Sequence, residues 1–184
     1  MALPKEIVYT TEDIYSLPDG KRAELIDGQI YYMAPPTFKH QYLNTKLASQ
    51  IDQYITSNKG NCIVVSAPFA VFLNEDNTTY VEPDISVICD KSKITEHGCV
   101  GSPDWIIEIV SPSSKQMDYF VKLMKYRNAG VREYWIVDPL KNRIMVYNFE
   151  MDDISNYTFS DFIKVGIYED FIINFAEIST VWNQ

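Results

Sequence analysis

The sequence predicts a mixed β-sheet covered by α-helices, an α+β arrangement within the broad α/β class, led by an N-terminal β-hairpin. Short apolar runs bounded by turn residues read as strands, and two longer segments switch to helical spacing. They follow one another in the order hairpin, helix, strands, helix, strands. No period of about 20 to 50 residues repeats, and no Gly/Ser-rich or Pro-rich linker divides the chain. Its 184 residues are enough for one domain with a sizeable core, so a single domain over 1–184 is expected.

Each element has a local reason. "RAELIDGQIYYMAP" gives two strands joined by Asp27-Gly28, a dipeptide suited to the positive backbone angles of a two-residue hairpin turn. In "PTFKHQYLNTKLASQIDQYITSNKG", Leu43, Leu47, Ile51 and Tyr54 recur at helical spacing; Thr37 can cap the start and Gly60 the end. "CIVVSAPFAVFL" reads as one or two strands with Pro68 at a bend or an edge, followed by the polar turn "NEDNTTY". "PDISVIC" and "DWIIEIV" are two further strands separated by the polar loop "DKSKITEHGCVGSP". The second helix lies in "SPSSKQMDYFVKLMKYRNAGV", with capping serines, Met117, Val121 and Met124 at apolar spacing, and Gly130 as its stop. "REYWIVDP" and "RIMVYNF" pair across "DPLKN", and the tail reads as a last strand plus a short docked segment.

Composition narrows the function. Hydrophobic residues at 46% and aromatics at 14% exclude a disordered chain, and the longest apolar runs are too short to span a bilayer. The N-terminus lacks an apolar core followed by small residues, and the cysteines, Cys62, Cys89 and Cys99, are odd in number. A soluble cytoplasmic protein with reduced thiols is expected. The net charge of -9 opposes broad, non-specific affinity for nucleic acid, so any DNA contact must be local.

Within "DWIIEIV", strand alternation sets Ile106, Glu108 and Val110 on one face and Trp105, Ile107 and Ile109 on the other. Both faces are apolar, so the strand is central and Glu108 is a carboxylate among aliphatics. Such a group needs a proton, a cation or a metal to share its site. Asp84 opens the neighbouring strand behind Pro83, and two carboxylates on adjacent strands form a hard-oxygen site of the kind Mg²⁺ prefers. Glu24, in the hairpin, is a third acidic candidate. Lys122 is the candidate cation, on a helix stripe with Lys115, Asp118 and Lys125 beside Tyr119 and Tyr126. Each signal has a plainer alternative: Glu108 can simply pair with Arg or Lys, the helix stripe can be a solvated face, and Glu24 can be an exposed strand residue. Cys89, His97 and Cys99 lack the spacing and the fourth ligand of a zinc site. His40 can contact a substrate phosphate or serve structurally. No Gly-rich phosphate loop appears, and "SPSS" lacks the context of a nucleophile elbow.

Together, "ELIDGQIYYMAPPTFKHQ", "VEPDISVI" and "DWIIEIVSPSSKQMDYFVKLMKYRNAGVREYWIVDP" resemble the Uma-type family of restriction endonucleases, a branch of the PD-(D/E)XK nuclease superfamily. The resemblance runs from about Glu24 to Pro139. It implies a restriction-endonuclease-like central mixed sheet flanked by helices, and it implies roles. Asp84 and Glu108 match acidic metal ligands, and the Ile109 carbonyl is a further ligand. Lys122 matches a lysine moved from the strand, where Val110 now stands, onto the following helix, and Glu24 matches an early acidic residue. The implied activity is Mg²⁺-dependent hydrolysis of DNA, with Mn²⁺ as a possible substitute. In it, a metal-bound water positioned by Lys122 attacks phosphorus in line, and a homodimer supplies two sites for double-strand cleavage. A non-catalytic DNA-binding or interaction protein on the same fold, or a phosphodiesterase acting on another nucleic acid, is the competing reading.

Overall fold

The computed structural model describes residues 7–74, 76–112 and 114–182. The first residues of the N-terminal stretch read for an export signal, Glu75 of the polar turn and Ser113 of the capping serines lie outside them.

A short helix, α1 (Thr11–Tyr15), which the sequence reading did not anticipate, precedes the hairpin β1 (Ala23–Ile26) and β2 (Gln29–Tyr32). Asp27 and Gly28 have φ of 51° and 73°, the two positive angles that a tight hairpin turn requires. Helix α2 (Phe38–Ser57) starts at Thr37, whose hydroxyl accepts the His40 N–H at 3.3 Å. It buries Leu43, Leu47, Ile51 and Ile55; Tyr54, expected in that stripe, is half-buried, and its hydroxyl reaches Asp170. The left-handed residue at its end is Lys59 rather than Gly60, whose N–H donates to the Ile55 carbonyl at 2.8 Å.

Then come β3 (Ile63–Ser66), β4 (Val71–Phe72), β5 (Ile85–Ile88), β6 (Ile94–Thr95), β7 (Gly98–Val100) and β8 (Trp105–Ile109). The polar loop before β8 is more structured than expected, because β6 and β7 join β4 in a three-stranded sheet. After β8 a π-helical turn (Met117–Val121) leads into α3 (Lys122–Ala129), closed by Gly130 in the left-handed conformation, φ 88°. Strands β9 (Glu133–Asp138), β10 (Arg143–Asn148) and β11 (Asp153–Tyr157) follow. The tail holds a further two-stranded sheet, β12 (Phe162–Lys164) with β13 (Ile172–Asn174), and the helix α4 (Phe175–Ser179), so it is richer than one strand and a docked segment.

The main sheet has the order β11-β10-β9-β8-β5-β3. Its β8/β9 pair is parallel, bridged by α3, and its other pairs are antiparallel. It is the mixed sheet expected from the sequence, with β8 internal. One face packs Trp105, Ile107 and Ile109 against Leu43, Leu47 and Ile51 of α2 and against Phe175 and Ile178 of α4. The other buries Ile106 and Val110 with Tyr126 and Tyr134 beneath α3. The predicted alternation along β8 is therefore the observed one.

Two expectations fail. The apolar stripe of the second helix forms only part of its buried face: Met117 and Val121 are half-buried against the core, but Met124 is 55% exposed, whereas Asp118, Lys122 and Tyr126 are buried. Glu108 on the sheet draws Lys122 and Tyr126 inward, and Met124 is left outside. The expectation of reduced thiols fails for two of the three cysteines. Pairing of Ile63 with Ile88 sets Cys62 and Cys89 opposite one another, where they form a disulfide, and Cys99 alone is free and buried. With Cys89 bonded and His97 exposed, the zinc alternative has no ligand set. No helix among the described residues is long and apolar enough to cross a membrane.

Candidate active site

Asp84 enters β5 and Ile109 ends β8. These antiparallel neighbours bring the start of one and the end of the other to the same edge of the sheet. The Ile109 N–H donates to Asp84 Oδ2 at 2.7 Å, and the Asp84 N–H points at Glu108 Oε2 at 3.4 Å. Two carboxylates and the backbone between them thus converge, as strand register alone requires.

Glu108 is 3% exposed and its other oxygen is held twice. Lys122 Nζ donates to Oε1 at 2.9 Å and the Tyr126 hydroxyl to the same atom at 2.6 Å. Lys122 and Tyr126 are one helical turn apart, which is why one face of α3 can deliver both. Lys122 Nζ also reaches Glu24 Oε2 at 2.8 Å and lies 3.8 Å from Asp118 Oδ1. Glu24 comes from the separate hairpin, and its Oε1 accepts the Glu82 N–H at 2.9 Å. One ammonium therefore ties together the hairpin, the central strand and the helix.

Burial pushes Glu108 well above its ordinary value, and the nearby Lys122 charge only partly offsets it. Burial alone would lower Lys122, but Glu108, Glu24 and Asp118 outweigh it and hold the ammonium protonated. Burial likewise raises Asp118 to about 6, against the opposing pull of Lys122 and the hydrogen bond from Ser114 Oγ at 2.6 Å. Asp118 Oδ1 is buried without a hydrogen-bond partner among the described residues. The cluster thus carries more acid than one lysine neutralises, and the surplus shows as carboxyls raised above their ordinary values.

The carboxylates line a cavity of about 520 Å³. His40 and Asn44, one turn apart on α2, close its other side: Asn44 Nδ2 donates to the Asp84 carbonyl at 2.9 Å, and His40 Nε2 lies 3.1 Å from Asp84 Oδ2. Burial lowers His40, yet its bond to Asp84, the Asp84 charge and a backbone bond at Ile109 win, and its value is raised. The imidazole meets Asp84 through Nε2, while its Nδ1 is buried without a hydrogen-bond partner among the described residues. Among the described residues no third His, Cys, Asp or Glu converges with the two carboxylates as a ligand set. Two carboxylates and a carbonyl still suit Mg²⁺, which binds through few protein oxygens and keeps several waters. The donors present fit a hard cation.

The structure brings Glu24, Asp84, Glu108, Ile109 and Lys122 together. It does not bring in Lys125, which pairs with Asp27 at the hairpin turn, and Lys115 remains exposed. Sequence reasoning missed the hold of Tyr126 on Glu108 and the ion pair of Arg22 with Glu82, whose Oε1 also accepts the Tyr80 hydroxyl at 2.6 Å. A buried tyrosine one turn past Lys122 was a usable signal; the Arg22–Glu82 pair spans 60 residues and had none.

The family model that matches residues 11–165 is Uma2, described as "putative restriction endonuclease". The chain is 26% identical over 150 residues to the uncharacterized protein slr1290 of Synechocystis sp., covering 79% of this chain and 77% of that one. Its fold is similar to a crystal structure from Anabaena variabilis described as a putative nuclease belonging to DUF820. The TM-score is 0.74 at 20% identity, covering 92% of this chain and 96% of the other. With a match over most of its length, and with its acidic and lysine residues gathered at one sheet edge, the chain belongs to the Uma2 family of restriction-endonuclease-like proteins.

Proposed function

We propose that the protein is a divalent-metal-dependent endonuclease that hydrolyses phosphodiester bonds of DNA. The observation that carries this reading is the Lys122 ammonium, buried between Glu24 and Glu108 beside Asp84 on the wall of an open cavity. A lysine so placed needs a purpose beyond stability, because burying an ion pair of this kind contributes little net stabilisation. Asp84, Glu108 and the Ile109 carbonyl would hold the metal, Mg²⁺ or Mn²⁺. Such an ion supplies a Lewis acid for a phosphate oxygen and lowers the pKa of water.

The chain's own groups supply the rest. Lys122 has three N–H donors and spends two on Glu24 and Glu108, which leaves one to orient the attacking water and offset charge growing on the phosphate. Tyr126 fixes the Glu108 carboxylate so that its second oxygen faces Asp84. Glu24 steers the lysine and stands ready as an acidic partner for water. His40 keeps Asp84 satisfied until a cation displaces it. Cleavage of both strands of a duplex calls for two such sites, which a symmetric homodimer in the cytoplasm would provide.

Calorimetric titration of Mg²⁺ and Mn²⁺ into wild type and Asp84→Asn, beside a plasmid-nicking assay on the same samples, tests the reading. Metal binding and nicking lost together in the variant is the expected result. A wild type that binds neither metal, or nicking that persists in folded Asp84→Asn, would sink it.

A further inference from the structure

Several cations of the chain are spent in pairs: Arg22 with Glu82, Lys125 with Asp27, Arg127 with Asp152, and Arg132 with Asp104 and Glu150. The turn from β9 to β10 reverses that pattern. Lys141 Nζ lies 5.1 Å from the centre of the Tyr119 ring, and the Arg143 guanidinium lies 5.5 Å from the same ring. Lys115 stands beside Lys141, and Lys39 Nζ donates to the Pro139 carbonyl of the turn at 3.4 Å. Among the described residues no carboxylate forms an ion pair with Lys115, Lys141 or Arg143. The nearest acid, Asp138, is already occupied: Oδ2 accepts the Tyr119 hydroxyl at 2.9 Å, and Oδ1 accepts the Leu140 and Lys141 N–H groups at 3.0 Å each. Desolvation, and then the charges of Lys115 and Arg143, pull the Lys141 ammonium below its ordinary value, so the cluster is under mutual repulsion. An arriving anion would relieve it.

The cluster borders the cavity. Lys39 precedes His40, Lys115 follows Ser114 and Tyr119 follows Asp118; His40, Ser114 and Asp118 all line it. The Val110 N–H donates to the Val137 carbonyl at 2.8 Å, which lays the end of β9 against the end of β8. In a chain of net charge -9, a group of like-charged side chains on this one rim is a local exception of the kind a polyanion needs.

Resting on the nuclease reading above, we infer that Lys115, Lys141 and Arg143, with Lys39 at their edge, form a phosphate-backbone docking patch. It seats duplex DNA beside the cavity and so delivers a neighbouring phosphodiester to Asp84 and Glu108. Tyr119 carries the patch, holding two of its cations by its ring face.

The test is fluorescence anisotropy of a labelled random-sequence DNA duplex, in EDTA, across a salt series. It compares wild type, the double variant Lys115→Ala with Lys141→Ala, and Lys164→Ala on β12 as a distant control. All the substituted lysines are exposed. Each lost phosphate contact lowers the salt slope by about 0.9, so the double variant is expected to drop it by about 2 and to bind at least about tenfold more weakly at low salt. The control should match wild type. Equal affinity and slope in the double variant, an equal loss in the control, or no duplex binding by wild type would each overturn the patch. Plasmid nicking in Mg²⁺ separates the two readings. Duplex binding that depends on the patch without any nicking overturns the nuclease and keeps the patch; Asp84-dependent nicking with binding indifferent to the double variant does the reverse.

Discussion

The two helices on either side of β8 are held to the sheet by different forces. Helix α2 presents Leu43, Leu47 and Ile51 to Trp105, Ile107 and Ile109, an apolar contact from which water is wholly excluded. Helix α3 and the turn before it present Asp118, Lys122 and Tyr126 to Glu108, and these too are nearly inaccessible. Equal burial hides unequal energetics. Apolar area removed from water is worth roughly 25 cal/mol per Å², whereas the desolvation of charged groups consumes most of what their attraction returns. The α2 face holds the fold, and the α3 face, on the proposed function, is maintained for chemistry. The π-helical turn falls on Asp118, at the entry to the charged face, a place where such widened turns often mark function.

The comparison breaks most visibly at Lys122. Lys122→Met leaves Glu24, Glu108 and Asp118 uncompensated, so stability to urea should fall by about 3–5 kcal/mol and nicking by at least about a hundredfold. Adding Glu108→Leu should recover part of the stability and none of the activity; a double variant no more stable than the single one would refute the unequal energetics. Leu47→Ala is the counterpart on α2. It should lower stability by about 2–5 kcal/mol while leaving Mg²⁺ titration and nicking, measured well below the unfolding temperature, at wild-type levels. Loss of metal binding in that variant would mean the two faces are not separable.

The same division governs what the sequence made legible. The α2 face could be read directly, since Leu43, Leu47 and Ile51 repeat at helical spacing and Trp105, Ile107 and Ile109 alternate along a strand. Glu108 was legible as an anomaly within an apolar strand, and Lys122 and Asp84 followed from the need to satisfy it. On α3 periodicity misled, because it placed Met124 inward where Lys122 goes. A pattern of apolar residues locates a face made by the hydrophobic effect and is blind to one made by charge. The pairing of Arg22 with Glu82, the approach of His40 to Asp84 and the Cys62–Cys89 bond depend on strand register and helix docking across long separations, which local patterns do not encode.

Smaller changes sharpen the comparison within α3. Tyr126→Phe removes the hydroxyl at Glu108 Oε1 but leaves Lys122 there, so about 1–2 kcal/mol of stability should be lost and nicking should weaken without vanishing. Unchanged nicking would remove Tyr126 from the site. The last effect is one of pH. Burial raises the Asp118 carboxyl from 3.8 to about 6, so the native state binds its proton more tightly than the unfolded chain does. The group is neutral in both states below pH 3.8. Between there and about 6 the unfolded chain releases the proton while the native state retains it, and stability falls as pH rises through that window. Above it the full penalty of a buried charge remains, only partly offset by Lys122. Asp118→Asn cannot titrate, so urea midpoints at pH 4.5 and 7 should differ less in the variant than in wild type, with wild type losing more on the way up. An identical pH dependence in both proteins would show that Asp118 is ionised throughout and that the surplus charge on the α3 face is held elsewhere in the cluster.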